Sequence, residues 1–265
     1  MVVTIVSVGA GTSPADLTYL WRRPRLLLRS LAAMYVVIPL IAFGIVLIAP
    51  IEAGVKAAIL VLAVSSGAPL LPKKLKKLGS QEYIFSLLVT SSLVAIVAVP
   101  LWVALLSNYF DVSVKLTAST VLFAIAKAIL LPIALGMLLR VIFPAQSERL
   151  SDRLITLAGF VLAASGVLLL ATHWRLLSGL SVGGVVALVA LMILGLATGQ
   201  LLGGPQADDR TALAIACATR HVGIALVVAA EFAGVKTAVF IVSYFLTVVV
   251  VSGVYLTWRK RAGAN

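Results

Sequence analysis

Eight times along this chain, an apolar run long enough to cross a bilayer is closed by Pro, Gly or a cluster of charge. The runs fall at residues 26–49, 57–78, 81–107, 115–142, 153–172, 182–203, 211–233 and 237–258. A bilayer core about 30 Å thick needs about 20 helical residues. These runs therefore read as spans two to nine of an all-α polytopic membrane protein. A shorter stretch, residues 2–12, precedes them and is read as a first span that is truncated or completed by residues upstream. It has no basic segment before it and no cleavage site after it, so it does not read as a signal peptide. Ser13-Pro14-Ala15-Asp16 then carries an N-cap, a Pro at N1 and an early acid, the pattern that starts a short helix.

Composition agrees. Hydrophobic residues make up 62% of the 265 and charged residues only 11%, with a mean hydropathy of +1.16. A soluble domain carries about 25% charged residues, so a soluble enzyme is excluded, and disorder, which needs low hydrophobicity, is excluded with it. The lone Cys217 excludes an intrachain disulfide and any cysteine metal cluster.

The net charge of +12 has its own explanation. With nine spans and the N-terminus outside, fifteen of the 21 basic residues fall on one side: Arg22, Arg23, Arg25, Arg29, Lys73, Lys74, Lys76, Lys77, Arg140, Arg149, Arg153, Arg210, Arg259, Lys260 and Arg261. Four fall on the other side, Lys56, Lys115, Arg175 and Lys236. The positive-inside rule then places the C-terminus in the cytoplasm, with no call for nucleic acid as a partner. Trp21, Trp102, Trp174 and Trp258 sit near span ends and read as interfacial anchors.

Two spans are poor continuous helices. The third passes through Ser65-Ser66-Gly67-Ala68-Pro69-Leu70-Leu71-Pro72. Two prolines remove two backbone donors and disfavour helix at the residues before them. The break is either a plain kink or the wall of a cavity, because freed carbonyls at membrane depth need protein or water. The eighth span carries Ala218-Thr219-Arg220-His221-Val222-Gly223 midway along an Ala/Val/Leu stretch. These spans are five apart, so they cross in opposite directions. Interrupted segments at matching places in inverted halves point to the binding site of a secondary transporter.

Two basic residues lie within spans, Lys127 and Arg220. An Arg at the centre of a span costs roughly 2.5–3.5 kcal/mol on insertion scales and so faces a cavity or a partner. Its planar fork suits carboxylate, sulfonate or phosphate; alternatively it bonds carbonyls freed in the broken third span. His221 is either a proton carrier or a neutral hydrogen-bonding residue. Lys127 should face protein or water, and Thr90, Ser91 and Gln200 add polar groups at comparable depth. No metal-ligand spacing, phosphate loop or nucleophile set occurs, so no catalytic or metal site and no cofactor is expected, and an intramembrane enzyme is disfavoured. The acidic residues all fall in loops or span ends, which leaves a central sodium site only neutral oxygens.

Four stretches carry a family likeness: Pro14-Ala15-Asp16 through Arg22-Arg23-Pro24-Arg25 with Val37-Ile38-Pro39-Leu40; Lys127, Leu130-Leu131-Pro132 and Gly136; Gly199-Gln200-Leu201-Leu202-Gly203; and Arg210 through Gly223-Ile224-Ala225-Leu226. In order and spacing they resemble the bile acid:sodium symporter family. The resemblance implies a single membrane domain over 1–265 with a core of 26–107 and 182–258. It further implies a panel of 2–20, 115–142 and 153–172, crossing third and eighth spans, and substrate bound between core and panel. It also marks departures. The family's sodium-binding Glu corresponds to Ala216, its Gln to Arg220 and its Asn to His221, and Ser66-Gly67-Ala68-Pro69-Leu70-Leu71-Pro72 replaces an Asn-bearing segment. At 4–6 Å and an effective dielectric of about 20, two positive charges repel by roughly 3–4 kcal/mol. The expectation is therefore a carrier of small or amphipathic organic anions without classical sodium coupling. Uniport, exchange or proton linkage through His221 are its open modes. Its site would comprise Arg220, Thr219, His221, Ser65, Ser66, Gly67, Lys127, Gln200, Thr90 and Ser91. The rivals are a sodium symporter with an altered site and a non-transporting receptor or scaffold on the same fold.

Overall fold

A computed structural model of the protein describes residues 16, 18–65, 81–110, 118–143, 181–220 and 234–262, together with positions 5, 6, 9, 10, 153, 156, 157, 160, 164 and 225. Among the described residues the regular structure is helical. We number seven helices: α1 Pro24–Ile48, α2 Ala53–Val64, α3 Gln81–Tyr109, α4 residues 118–142, α5 Val182–Leu202, α6 Ala207–Ala218 and α7 Gly234–Ala262. Pro24–Ile48, Glu82–Tyr109 and Val182–Leu202 are long and apolar enough to cross a membrane, and Ala53–Val64 and Leu131–Ile142 are shorter apolar helices. The first and sixth expected spans lie almost wholly outside the described residues, as does the proline pair at 69 and 72.

Proline shapes α1 and α4 alike. Each contains a five-residue π segment, Ala33–Val37 and Ala126–Leu130, followed by a new α turn with Pro39 or Pro132 in its second position. A proline has no N–H to give the carbonyl four residues back, and its ring crowds that carbonyl; widening the preceding turn relieves the clash. In α1 the carbonyl so released is that of Tyr35, and the indole Nε1 of Trp102 on α3 donates to it at 2.7 Å. Trp102 is half-buried. It therefore satisfies the α1 break, a role beyond the interfacial anchoring that its position near a span end suggests.

Glycine sets the close contact of α5 with α6. Along α5, Gly195, Gly199 and Gly203 recur every four residues and meet the backbone of α6 at Cys217–Ala218, Leu213–Ala214 and Arg210 in turn. The descending partner numbers make the pair antiparallel. A Cβ on Gly199 would lie 2.3 Å from the Ala214 Cα. Small residues at this spacing let two helices in lipid approach backbone to backbone, where dispersion rather than hydrophobic exclusion holds them. Gly9, from the first expected span, meets Gly136 on α4 in the same way; a Cβ there would reach the Ile133 carbonyl at 2.5 Å.

The short helices α2 and α6 resemble each other closely. Each has 12 residues, about 18 Å of rise and too short for a bilayer core. Each ends on a hydroxyl residue in extended conformation, Ser65 (φ −77°, ψ 111°) and Thr219 (φ −89°, ψ 119°). Each hydroxyl turns back to the carbonyl four residues earlier, Ser65 to Val61 and Thr219 to Ile215, both at 2.7 Å. In each case that carbonyl also accepts the residue's own backbone N–H, so the hydroxyl adds a second bond that turns the side chain back onto its helix. They start from opposite ends of the bundle. The beginning of α2 packs on the beginning of α5 (Val55 beside Gly184), whereas that of α6 packs on the end of α5 (Arg210 beside Gly203).

The end where α6 begins also gathers the charged residues. Arg23, just ahead of α1, forms an ion pair of 3.5 Å with Asp209 on α6 and donates to Gln206 at 3.3 Å. Its guanidinium lies 4.2 Å from the centre of the Tyr19 ring. The Tyr19 hydroxyl donates to Asp209 at 3.3 Å. Arg259, near the end of α7, reaches the same first turn of α6. Arg23, Arg210 and Arg259, which the loop alternation assigns to one side, thus share one end of the molecule. Before α1, the Tyr19 N–H donates to the Asp16 carbonyl at 3.3 Å and the Arg22 N–H to the Thr18 carbonyl at 3.0 Å, while Ser13-Pro14-Ala15, where a short helix is expected to start, lie outside the described residues.

Candidate functional site

Where α6 stops, Arg220 enters the interior. Thr219 abandons helical geometry, so the chain carries Arg220 off the helix axis at about 18 Å from the start of α6. Its side chain is 1% exposed, and Arg220 heads the largest fully buried side chains of the protein. None of its three guanidinium nitrogens, Nε, Nη1 or Nη2, has a hydrogen-bond partner. The side chains of Tyr244, Cys217 and Tyr35 are within electrostatic reach of it. Both tyrosines have their hydroxyl hydrogens engaged elsewhere: Tyr244 donates to the Ala218 carbonyl at the end of α6, and Tyr35 donates to the Ser91 carbonyl on α3. The protons of both phenols are thus already spent on main-chain carbonyls.

The physical consequence is direct. A buried charge is tolerated when it is paired and hydrogen-bonded, and an unpaired one carries a desolvation cost of several kcal/mol. The nitrogens of a fixed planar fork with five N–H donors make no hydrogen bond, and the groups in electrostatic reach among the described residues, two phenols and a thiol, carry no negative charge in their ordinary states. The Asp209 carboxylate, at the start of α6, is engaged with Arg23 instead.

The expected site residues separate into groups. Thr219 adjoins Arg220 and is fully buried, with its hydroxyl on the Ile215 carbonyl. Ser91 is linked to the Arg220 surroundings through Tyr35, and its own hydroxyl donates to the Leu88 carbonyl at 3.2 Å. Thr90 is buried beside it. Ser65 is buried at the end of α2 with its hydroxyl turned back into that helix. Gln200 belongs to the charged end, where its Oε1 accepts from the Tyr255 hydroxyl at 2.7 Å. Lys127 is exposed, on a face of α4 shared with exposed Phe123 and Leu131. Among the described residues no contact joins Lys127 or Gln200 to Arg220. His221, Ser66 and Gly67 lie outside the described residues. Among the described residues no group of three or more His, Cys, Asp or Glu could hold a metal ion.

Sequence reasoning missed three of these partners. Tyr35 and Tyr244 were passed over as span residues, although a tyrosine favours the membrane interface and one deep in a span needs a partner for its hydroxyl. Asp209 read as a loop acid, yet its side chain is 2% exposed and paired.

Among the described residues, two short apolar helices stop within the bundle, and a buried cation lacking hydrogen-bond partners sits just past the end of α6. The family follows: residues 1–180 match the model of the sodium bile acid symporter family, and the chain belongs to that family. Its members are membrane transporters, and membership implies a membrane transporter of the bile acid/sodium symporter type. The first two of the four resembling stretches lie inside the match; residues 199–203 and 210–226, with Arg220, lie beyond it. No curated protein matches the chain.

Proposed function

We propose that this protein is a secondary transporter of organic anions in which Arg220 is the built-in counter-charge for the substrate. The observation that carries this reading is the buried Arg220 side chain with all three nitrogens unpartnered. A carboxylate or sulfonate would complete it with two parallel charge-assisted hydrogen bonds. The substrates are bile-acid-like or small carboxylates and sulfonates. The architecture is nine spans in two inverted halves, with α2 and α6 as the first halves of crossing helices that enter from opposite sides. Alternating access comes from the panel of spans one, five and six rocking against the core. The tight Gly9–Gly136 contact supports grouping spans one and five. The N-terminus faces outward and the C-terminus the cytoplasm, in an inner membrane, as the basic loops favour.

Transport needs no sodium in this reading, because a fixed cation occupies the region where a mobile one would have to bind. Movement is by uniport, exchange or proton linkage through His221. Uptake of labelled organic anions into proteoliposomes tests it. Flux should persist when choline replaces sodium, and Arg220→Gln should abolish it. Strict sodium dependence would refute the role of Arg220. Ligand-dependent stabilisation with no flux would identify a receptor on the same fold.

A further inference from the structure

A second arginine lacks a partner, at the opposite end of α6. Arg210 is half-buried, its buried Nε has no hydrogen-bond partner, and the one ion pair among the described residues, Arg23–Asp209, leaves it out. Arg259 comes from α7 to the same turn of α6. It donates from Nε to the Thr211 hydroxyl at 3.0 Å and from Nη2 to the Ala207 carbonyl at 3.2 Å. Both acceptors are neutral, so its position is set and its charge is not compensated. Its two acceptors, Ala207 and Thr211, flank Arg210 on the first turns of α6, so Arg259 arrives beside Arg210, and the Tyr255 phenol interacts electrostatically with both. Asp208, two residues before Arg210, is turned to another side of the helix by its spacing.

The surroundings say what binds there. Trp258 is 55% exposed, with its ring centre 6.0 Å from that of Tyr255. Continuing from it along the same face of α7 are Val254 and Val250, 67% and 65% exposed. Two arginines, an exposed indole at headgroup level and an outward apolar stripe running toward the bilayer centre follow the amphiphilic profile of a phospholipid. We propose that Arg210 and Arg259 bind the phosphate of an anionic phospholipid whose acyl chain lies along Val254 and Val250. A free phosphate offers the same oxygens but leaves the indole and the stripe without a role. The site is separate from Arg220 and does not depend on the transported anion.

Thermal melting of the full chain in mild detergent tests the site, with phosphatidylglycerol, phosphatidylcholine and inorganic phosphate titrated separately. Phosphatidylglycerol should raise the melting temperature and phosphatidylcholine should not. Arg210→Gln should melt as the parent does without lipid, because the side chain forms no bond, and should bind phosphatidylglycerol about fivefold more weakly. Arg210→Lys, which keeps the charge, should lose less and serves if the Gln variant does not fold. Equal effects of the two lipids, or undiminished phosphatidylglycerol binding by Arg210→Gln, would overturn the proposal. Stabilisation by inorganic phosphate that displaces phosphatidylglycerol would overturn the lipid assignment in favour of a soluble phosphate ligand.

Discussion

Replacing Arg220 by Met separates a ligand site from a structural residue, because the two roles predict opposite signs. Met keeps most of the stem volume and removes five buried donors and a charge. Nothing nearby is orphaned by the change: Tyr244 and Tyr35 donate to the Ala218 and Ser91 carbonyls, and Thr219 donates to Ile215. Exchanging buried ionic groups for apolar ones of similar volume gains about 1–4 kcal/mol in well-packed interiors. Taking about 2 kcal/mol, and about 2–4 °C per kcal/mol for a chain of this size, the ligand-free variant should melt roughly 4–8 °C above the parent. With an organic anion at a hundred times its dissociation constant, the parent should gain about 2.7 kcal/mol and the variant nothing. The assay is thermal unfolding in detergent, with and without anion, on both proteins. If ligand-free Arg220→Met melts below the parent, Arg220 holds the fold together and the counter-charge argument fails.

Other perturbations follow from the packing. Gly199→Ala puts a methyl 2.3 Å from the Ala214 Cα, so α5 and α6 must separate; a loss of about 1–3 kcal/mol in denaturant or thermal unfolding is expected, together with weakened anion binding at Arg220. Arg23→Gln should cost more than Asp209→Asn, by about 1–2 kcal/mol, since the first leaves a buried carboxylate unpaired while Arg23, 43% exposed, stays hydrated in the second. Comparing the melting of the two variants with that of the double variant checks this. Trp102→Phe should lose about 1–2 kcal/mol by leaving the Tyr35 carbonyl without its donor; adding Pro39→Ala, which returns an N–H to α1, should recover part of the loss.

The membrane class, the family likeness and most helix positions were legible in the sequence, because each rests on local properties. The apolar runs at 26–49, 81–107 and 182–203 became α1, α3 and α5 within a few residues, since length and hydropathy alone decide whether a segment can lie in lipid. The break after Ala218 was legible too, because an arginine and a histidine interrupt an Ala/Val/Leu helix there. That Arg23, Arg210 and Arg259 would share one end was visible in the alternation of basic loops, before any contact was known.

What the sequence could not decide is which polar groups are paired, and pairing is a property of three-dimensional neighbours. Arg220, Arg210 and Arg259 are the same residue type. The fold gives Arg259 two neutral acceptors, leaves the buried Nε of Arg210 without a partner, and buries Arg220 with no hydrogen bond to any of its nitrogens. Asp209 looked like a loop acid, and packing against Tyr19 and Arg23 turned it into a buried ion-pair partner. Trp102 and Pro39 lie far apart in the chain, and only the packing of α3 on α1 makes one answer the backbone defect of the other. Burial in lipid is decided segment by segment from composition; the satisfaction of each buried donor depends on a partner that the helix packing supplies or withholds.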